Sequence, residues 1–369
     1  MADEGDRAAL LAEVDRFVRR AIDPRTARPE APMEPAALSE LVDEADSLGL
    51  AGSATSPSGL GAWEALEAPL PIGATLTVLA RLGRANAAVA YALHHRALAR
   101  VAARLASLGR AIDRPAIALE GRLGLGRTAL ARALAGAPID DDDRACLLDG
   151  HAPDVTRVLP FEAAAGGLIS LCFTDDAPSL QLHERTALAL TVDPHAHGLD
   201  ELCTARIRPI GAAIARAPVS RATLARLLAA HQLGLVAIAL GAVERGHALA
   251  RTYATQRRQA GAPIDRHPAV LALLGQARTA IDEVGAVLAG LGDRPLEPAS
   301  FGVAIGCRAR AMPALAEAAH ASMQTFGGLG YMRDVGVEKI ARDVNALRTI
   351  SGAPPELALI AAEWERLHA

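Results

Sequence analysis

The chain has 369 residues, a formal net charge of −4, 51% hydrophobic residues and 22% charged residues. This is a globular composition, long enough for two or three domains or one large layered unit. The mild charge offers no electrostatic case for nucleic acid or an anionic membrane, and aromatics at 3% supply no stacking platforms for bases.

Residues 1–112 read as a helical domain. In RAALLAEVDRFVRRAI, Leu10, Leu11, Val14, Phe17, Val18 and Ile22 fall on one face at helical spacing. PAALSELVDEADSLGL repeats the pattern, with Pro35 in a first turn and Gly49 near the stop. ATSPSGLGAWEALEAPLP is a loop by its Gly, Pro and Ser content. IGATLTVLARLGRANAAVAYALHHRALARVAARLASL is then one long helix or two shorter ones.

Residues 113–214 change character. Short apolar runs separated by turn residues (AIALEG, ACLLDG, VTRVLP, GLISLCFT, TALALTV, TARIRPI) fit strands of a compact β-domain, a small barrel or sandwich. IDDDDR (139–144) reads as a solvated turn, since four consecutive aspartates cannot all face one ion. Residues 215–369 are helical again. A long apolar segment from Ser220, a second helix from Asp265 to about Gly292, a third containing Pro313, and two shorter helices at about 335–347 and 354–367 predict a four-helix bundle. The expected fold is therefore α+β and mostly α, in the order helical domain, β-domain, bundle.

Cys146, Cys172, Cys203 and Cys307 are far apart and form no CxxC, which speaks for free thiols and against a zinc cluster or disulfide framework. The acidic, amphipathic first segment lacks the features of a signal peptide. Apolar runs such as LGLVAIALGAV (233–243) read as too short to span a bilayer. A cytoplasmic protein without membrane or nucleic-acid partners is expected. Lys339 is the only lysine, so it is the only residue able to form a Schiff base.

Chemistry-bearing stretches cluster in the last third. In Gln324-Thr-Phe-Gly-Gly-Leu-Gly-Tyr331, a helix ends and Gly327 and Gly328 permit close backbone approach, so exposed N–H groups can cradle a phosphate. Arg257 and Gln259 end the first bundle helix and suit a pyrophosphate, although a solvated basic helix end has the same look. Glu338, Arg342 and Asp343 read as a structural ion-pair network.

Taken in order, these motifs resemble the acyl-CoA dehydrogenase family. That family's Tyr-Ala-x-Glu-Arg-x-Gln-Phe-Gly is similar to Tyr253–Gly261, its Gln-x-Phe-Gly-Gly-x-Gly to Gln324–Gly330, and its Glu-Arg-x-x-Arg-Asp to Glu338–Asp343. The resemblance implies FAD as cofactor, with Arg257 and Gln259 at its pyrophosphate and Gln324, Gly327 and Gly328 at its adenine end, across a dimer interface. It also implies an acyl-CoA or acyl-carrier-protein substrate and a homodimer or homotetramer.

The resemblance also marks departures. The family's base is a glutamate in the loop after the Arg-Asp helix, where this chain has Ser351, or on the first bundle helix, where it has Ala225. A serine hydroxyl without a partner is too weak a base. His94, His95 and His231 are other imidazoles near this region, each read first as a packed helix histidine, and Glu356 reads as the start of the last helix. Glu120 in LEGRLGLGR (119–127) stands nearest the family's flavin-binding loop, and the β-block has no Trp. The expected function is an acyl-CoA dehydrogenase-like, FAD-dependent oxidoreductase acting on the CH–CH bond of an acyl thioester. The alternatives are a non-catalytic subunit in a hetero-oligomer with a catalytic homologue, and a flavin relative with different chemistry.

Overall fold

The computed structural model describes residues 4–50, 72–108, 114–118, 128–141, 157–174, 177–292 and 296–369. The loop beginning ATSPSGL, the runs LEGRLGLGR (with Glu120) and ACLLDG, Cys146 and half of IDDDDR lie outside the described residues.

Helix α1 (Glu4–Phe17) continues through a π turn at Val18–Ile22. Val14, Phe17 and Ile22 are buried, with Leu10, Leu11 and Val18 packed beside them, as the helical spacing requires. Helix α2 (Pro35–Ser47) has its proline in the first turn, where the missing N–H costs nothing. It stops at Gly49, whose φ of +78° suits a residue without Cβ.

The next apolar stretch forms two helices, α3 (Gly73–Ala85) and α4 (Ala87–Leu105). Asn86 makes the break. Its backbone is extended, its Oδ1 accepts from Val89 N at 3.0 Å, and its Nδ2 donates to Glu201 Oε1 at 2.8 Å. Asn86→Ala removes the helix cap and this buried tie together, and is expected to cost about 1–2 kcal/mol, read as a lower urea midpoint at unchanged slope.

The middle region holds two open sheets. In the first, β1 (Pro115–Ala118) runs parallel to β3 (Gly167–Thr174), which pairs antiparallel with β4 (Ala177–Glu184), and β4 pairs with β7 (Ala215–Pro218). In the second, β6 (Cys203–Pro209) lies between β2 (Arg157–Phe161) and β5 (Leu188–Val192), antiparallel to both. Ala116 and Leu168 of the first sheet share a small core with Phe161, Leu188, Ala205 and Ile207 of the second. Neither sheet closes on itself. Two strands, β4 and β7, and a short helix α5 (Ala129–Ala135) go beyond what the apolar runs predict.

The bundle opens with α6 (Arg221–Gln256), capped by Ser220, whose Oγ accepts from Thr223 N at 3.0 Å. It continues with α7 (Pro268–Gly292), α8 (Ser300–Thr325), α9 (Val337–Thr349) and α10 (Pro354–His368). Helix α8 runs through Pro313 as one element and packs on α6, α7, α9 and α10. Contrary to the sequence expectation, α6 is long and apolar enough to cross a membrane; 94% of its most apolar window is buried inside the protein, as in a core helix.

Helix α6 is also where the N-terminal domain docks. Helix α3 lies so close to it that a Cβ added at Gly241 would overlap the carbonyl oxygen of Ala80, and one added at Gly83 would overlap that of Ile238. This contact carries α4, with His94 and His95, onto the bundle beside His231.

Candidate functional site

The first site feature is an open cleft of about 570 Å³ at the end of the bundle. Helix α6 ends at Gln256, and Arg257 N–H still donates to Tyr253 O at 2.8 Å. A two-residue ladder follows, β8 (Arg258–Gln259) against β9 (Ala262–Pro263). Its turn, Ala260-Gly261, takes two positive φ values of +47° and +79°, as a tight hairpin turn demands. Opposite lies the end of α8, where Thr325 gives way to a 3₁₀ turn at Gly327–Tyr331 and Gly327 has a φ of +60°.

Together these ends bring Arg257, Gln259, Gln324, Gly327 and Gly328 to one wall-and-floor arrangement. The rings of Tyr253 and Phe326 stack at 4.4 Å beneath them. The Arg257, Gln259 and Gln324 side chains are exposed. Arg257 makes no ion pair among the described residues, and the space around the Cα of Gly327 and Gly328 is open. A cation, two amides and unobstructed backbone therefore face one cleft, a donor set suited to a phosphate ester.

The second feature is the turn between α9 and α10, and it is buried. Ser351 is 5% exposed and adopts a φ of +61°. Its Oγ lies 2.7 Å from His231 Nε2, across 120 residues of sequence. His231 stacks on His94 at 5.6 Å between centroids, with His95 at 6.0 Å, and Tyr91 Oη lies 3.1 Å from His95 Nε2. Arg308, fully buried on α8, donates to Leu347 O at 3.0 Å, Ser351 O at 3.4 Å, Ile350 O and Gln232 Oε1. Ala225, 1% exposed, lies on α6 within the main core.

A hydrogen-bonded serine–histidine pair activates a nucleophile in other settings. Here both residues are buried, and His231 is held well below the ordinary histidine pKa by burial first and then by His94, His95 and Arg308. As it stands, the pair is a closed structural hydrogen bond. Glu356 accepts from Ala353 N at 2.9 Å and so caps α10, as its position suggests.

The charged residues of α9 work structurally. Arg342 pairs with Glu338 at 2.5 Å and Asp200 at 2.6 Å. Lys339 pairs with Asp343 at 2.7 Å and Glu201 at 3.0 Å, and Asp343 also accepts from Leu199 N at 2.7 Å. Burial pulls the Lys339 pKa down, but the two carboxylates outweigh it and the net direction is up, so the amine stays charged and unsuited to a Schiff base. No group of three metal-ligating side chains occurs among the described residues.

Residues 208–364 match the family model for the acyl-CoA dehydrogenase C-terminal domain. Along its whole length the chain is similar to solved structures of low sequence identity. Butyryl-CoA dehydrogenase from Megasphaera elsdenii aligns with a TM-score of 0.68 at 16% identity, over 98% of each chain. The prolyl acyl carrier protein oxidase AnaB aligns at 0.69 and 13%, over 99% of this chain and 100% of that one. PigA, solved with FAD and proline, aligns at 0.70 and 15%, over 100% and 99%. No curated protein sequence matches significantly. Residues 208–364 thus match the acyl-CoA dehydrogenase C-terminal domain, and the whole chain has the acyl-CoA dehydrogenase fold.

Within the acyl-CoA dehydrogenase fold, the five residues expected at the dinucleotide meet in one cleft, while Ser351 and Ala225, at the two positions expected for a base, are both enclosed. Sequence reasoning does not single out Arg308, Gln232 or Tyr91. A signal for Arg308 is there: in GVAIGCRARAMPAL it falls on the same helical face as the core residues Ile305, Met312 and Leu315. A lone arginine on such a face must satisfy its donors inside the protein.

Proposed function

We propose that the chain is a FAD-dependent oxidoreductase of the acyl-CoA dehydrogenase kind, working in an oligomer on the CH–CH bond of an acyl thioester carried by CoA or a carrier protein. The observation that carries this reading is the meeting of Arg257, Gln259, Gln324, Gly327 and Gly328 in one open cleft. Bound FAD would supply the hydride acceptor. In this chain, Arg257 would neutralise the pyrophosphate, the Gln259 and Gln324 amides would orient it, and the glycines would let it approach the backbone. The relatives named above include one acyl-CoA dehydrogenase and one acyl carrier protein oxidase, which fits either carrier. Free thiols at Cys172, Cys203 and Cys307 go with a reducing, cytoplasmic location.

Arg257→Ala is expected to weaken FAD binding by about 10–100-fold, the worth of a charged hydrogen-bond partner. Titrating apo-protein with FAD and following the flavin spectrum measures it; equal affinity in parent and variant counts against the cleft. A panel of acyl-CoA and acyl-carrier thioesters with an artificial electron acceptor tests the oxidoreductase reading.

A second reading is a non-catalytic partner subunit that lends its cleft to a catalytic homologue. The enclosure of Ser351 by His231 and Arg308, with no carboxylate at either base position, favours it. Turnover by the isolated, flavin-loaded chain would eliminate it. Turnover appearing only in a co-purified assembly would establish it.

A further inference from the structure

A buried cation, Arg308, holds the backbone of the turn joining α9 to α10. Arg308 has no exposed surface and reaches three successive features of the turn: Leu347 O as the helix ends, Ile350 O, and Ser351 O. Carbonyls at a helix C-terminus have no partners within the helix, and a cation is the natural donor to them. The turn it holds is strained. Ser351 occupies the left-handed region at φ +61°, which a residue with a Cβ adopts only where its surroundings impose it. The strain aims the serine hydroxyl inward at His231 Nε2.

The surroundings of the Ser351 side chain are rich in donors. The Arg308 guanidinium does not lose its proton in proteins. Gln232 is fully buried and accepts from Arg308 at its Oε1, and its Nε2 has no hydrogen-bond partner among the described residues. Ser351 meets His231 from α6 and Arg308 from α8, and beside those two lie Gln232 of α6 and His94 and His95 of α4; none of these five is an acid. An anion would be welcome here, and a neutral carboxylic acid would not.

We propose that Arg308 is the positioning residue of this turn and that it holds any acid placed at position 351 in its ionised form, a poor proton acceptor. The missing base is then more than one absent side chain: α8 has been fitted with a cation that would disable a base restored at 351. This bears on catalysis only through the expectation that position 351 is the family's base position, and the test separates the two.

The decisive measurement is the titration of a glutamate introduced by Ser351→Glu. The variant carries ¹³C-labelled glutamate carboxyls, and the new resonance is found by difference from the parent. With Arg308 present, it should titrate below the ordinary glutamate value of about 4.3. In Ser351→Glu/Arg308→Met, burial without the cation should move it above that value. Ser351→Glu/Arg308→Lys, which keeps the charge, should hold it low.

A glutamate titrating above the ordinary value beside Arg308 overturns the proposal, and the single variant is enough to show this if the methionine double variant fails to fold. Identical titrations in the single variant and in the methionine double variant also overturn it. Amide exchange across Ile350–Ala353 should accelerate at least tenfold in Arg308→Met and much less in Arg308→Lys; equal rates would remove the positioning role. Acyl-thioester oxidation is then assayed in the same variants. Turnover in the methionine double variant, and not in Ser351→Glu, supports both the proposal and the functional reading. A low titration with no turnover in any variant leaves Arg308's role intact and counts against the acyl-thioester reading alone.

Discussion

Between pH 7 and pH 5 the protein is expected to lose about 2 kcal/mol of stability through His94, with His231 adding to the loss. Burial lowers the His94 pKa most, with His95 adding to it and the hydrogen bond to His231 O partly opposing; the result is about 3. His231 is lowered well below its usual value, again by burial first and then by His94, His95 and Arg308.

His94 is therefore neutral in the folded protein through this range and His231 is shifted the same way, while in the unfolded chain both protonate near pH 6.5. Below pH 6.5 the unfolded state binds more protons, so stability is full above that value and falls as the pH drops towards 3. His94 contributes about 1.4 kcal/mol per pH unit once well below 6.5, or about 2 kcal/mol from pH 7 to 5, and His231 adds in the same direction. Urea unfolding at pH 7, 6 and 5 measures the loss, and His94→Gln should remove the His94 share of it, about 2 kcal/mol between pH 7 and 5. A stability that stays level over this range would show that the imidazoles are not held neutral.

Gly241→Ala is expected to cost about 3 kcal/mol. The added methyl would enter the space of the Ala80 carbonyl oxygen, with the Arg84 nitrogen at 2.7 Å, and both are backbone atoms of α3. Backbone cannot swing aside as a flexible side chain does, so the helices must separate. Separation would also disturb Gly83, packed on Ile238, and Gly234, packed on the His94 ring. Gly275→Ala is the natural control. Its surroundings on α7 are open, and alanine there should stabilise the helix by up to about 1 kcal/mol. Denaturant midpoints of the two variants should move in opposite directions; a Gly241→Ala protein as stable as the parent would mean that α3 and α6 are less tightly joined.

Helical periodicity is informative wherever one face of a helix is apolar, as in α1 and α2, where Val14, Phe17, Leu38 and Leu41 are all buried. It fails at β4, APSLQLHE. Ser179, Gln181 and His183 are polar, yet they are as buried as Leu180 and Leu182. A strand covered on both faces shows no alternation of exposure, and its polar residues read as loop. The glycine turn at Gln324–Gly330 is legible because close approach and positive φ leave glycine as the preferred residue. The contact between His231 and Ser351 is not, because it depends on how α6 meets a turn 120 residues away. His231 is packed, as a helix histidine is expected to be, and its ring Nε2 is hydrogen-bonded to the Ser351 hydroxyl.

The single lysine has a consequence of a different kind. Lys339 is the chain's only ε-amine, and its side chain, 11% exposed, is closed between Asp343 and Glu201 where α9 meets the segment before β6. Amine-directed reagents, whether a laboratory acylating label or a cellular acylation, therefore find one lysine target here, and only when that junction opens. The rate at which Lys339 becomes acylated would report the opening of one helix in a protein of 369 residues, with no probe to install.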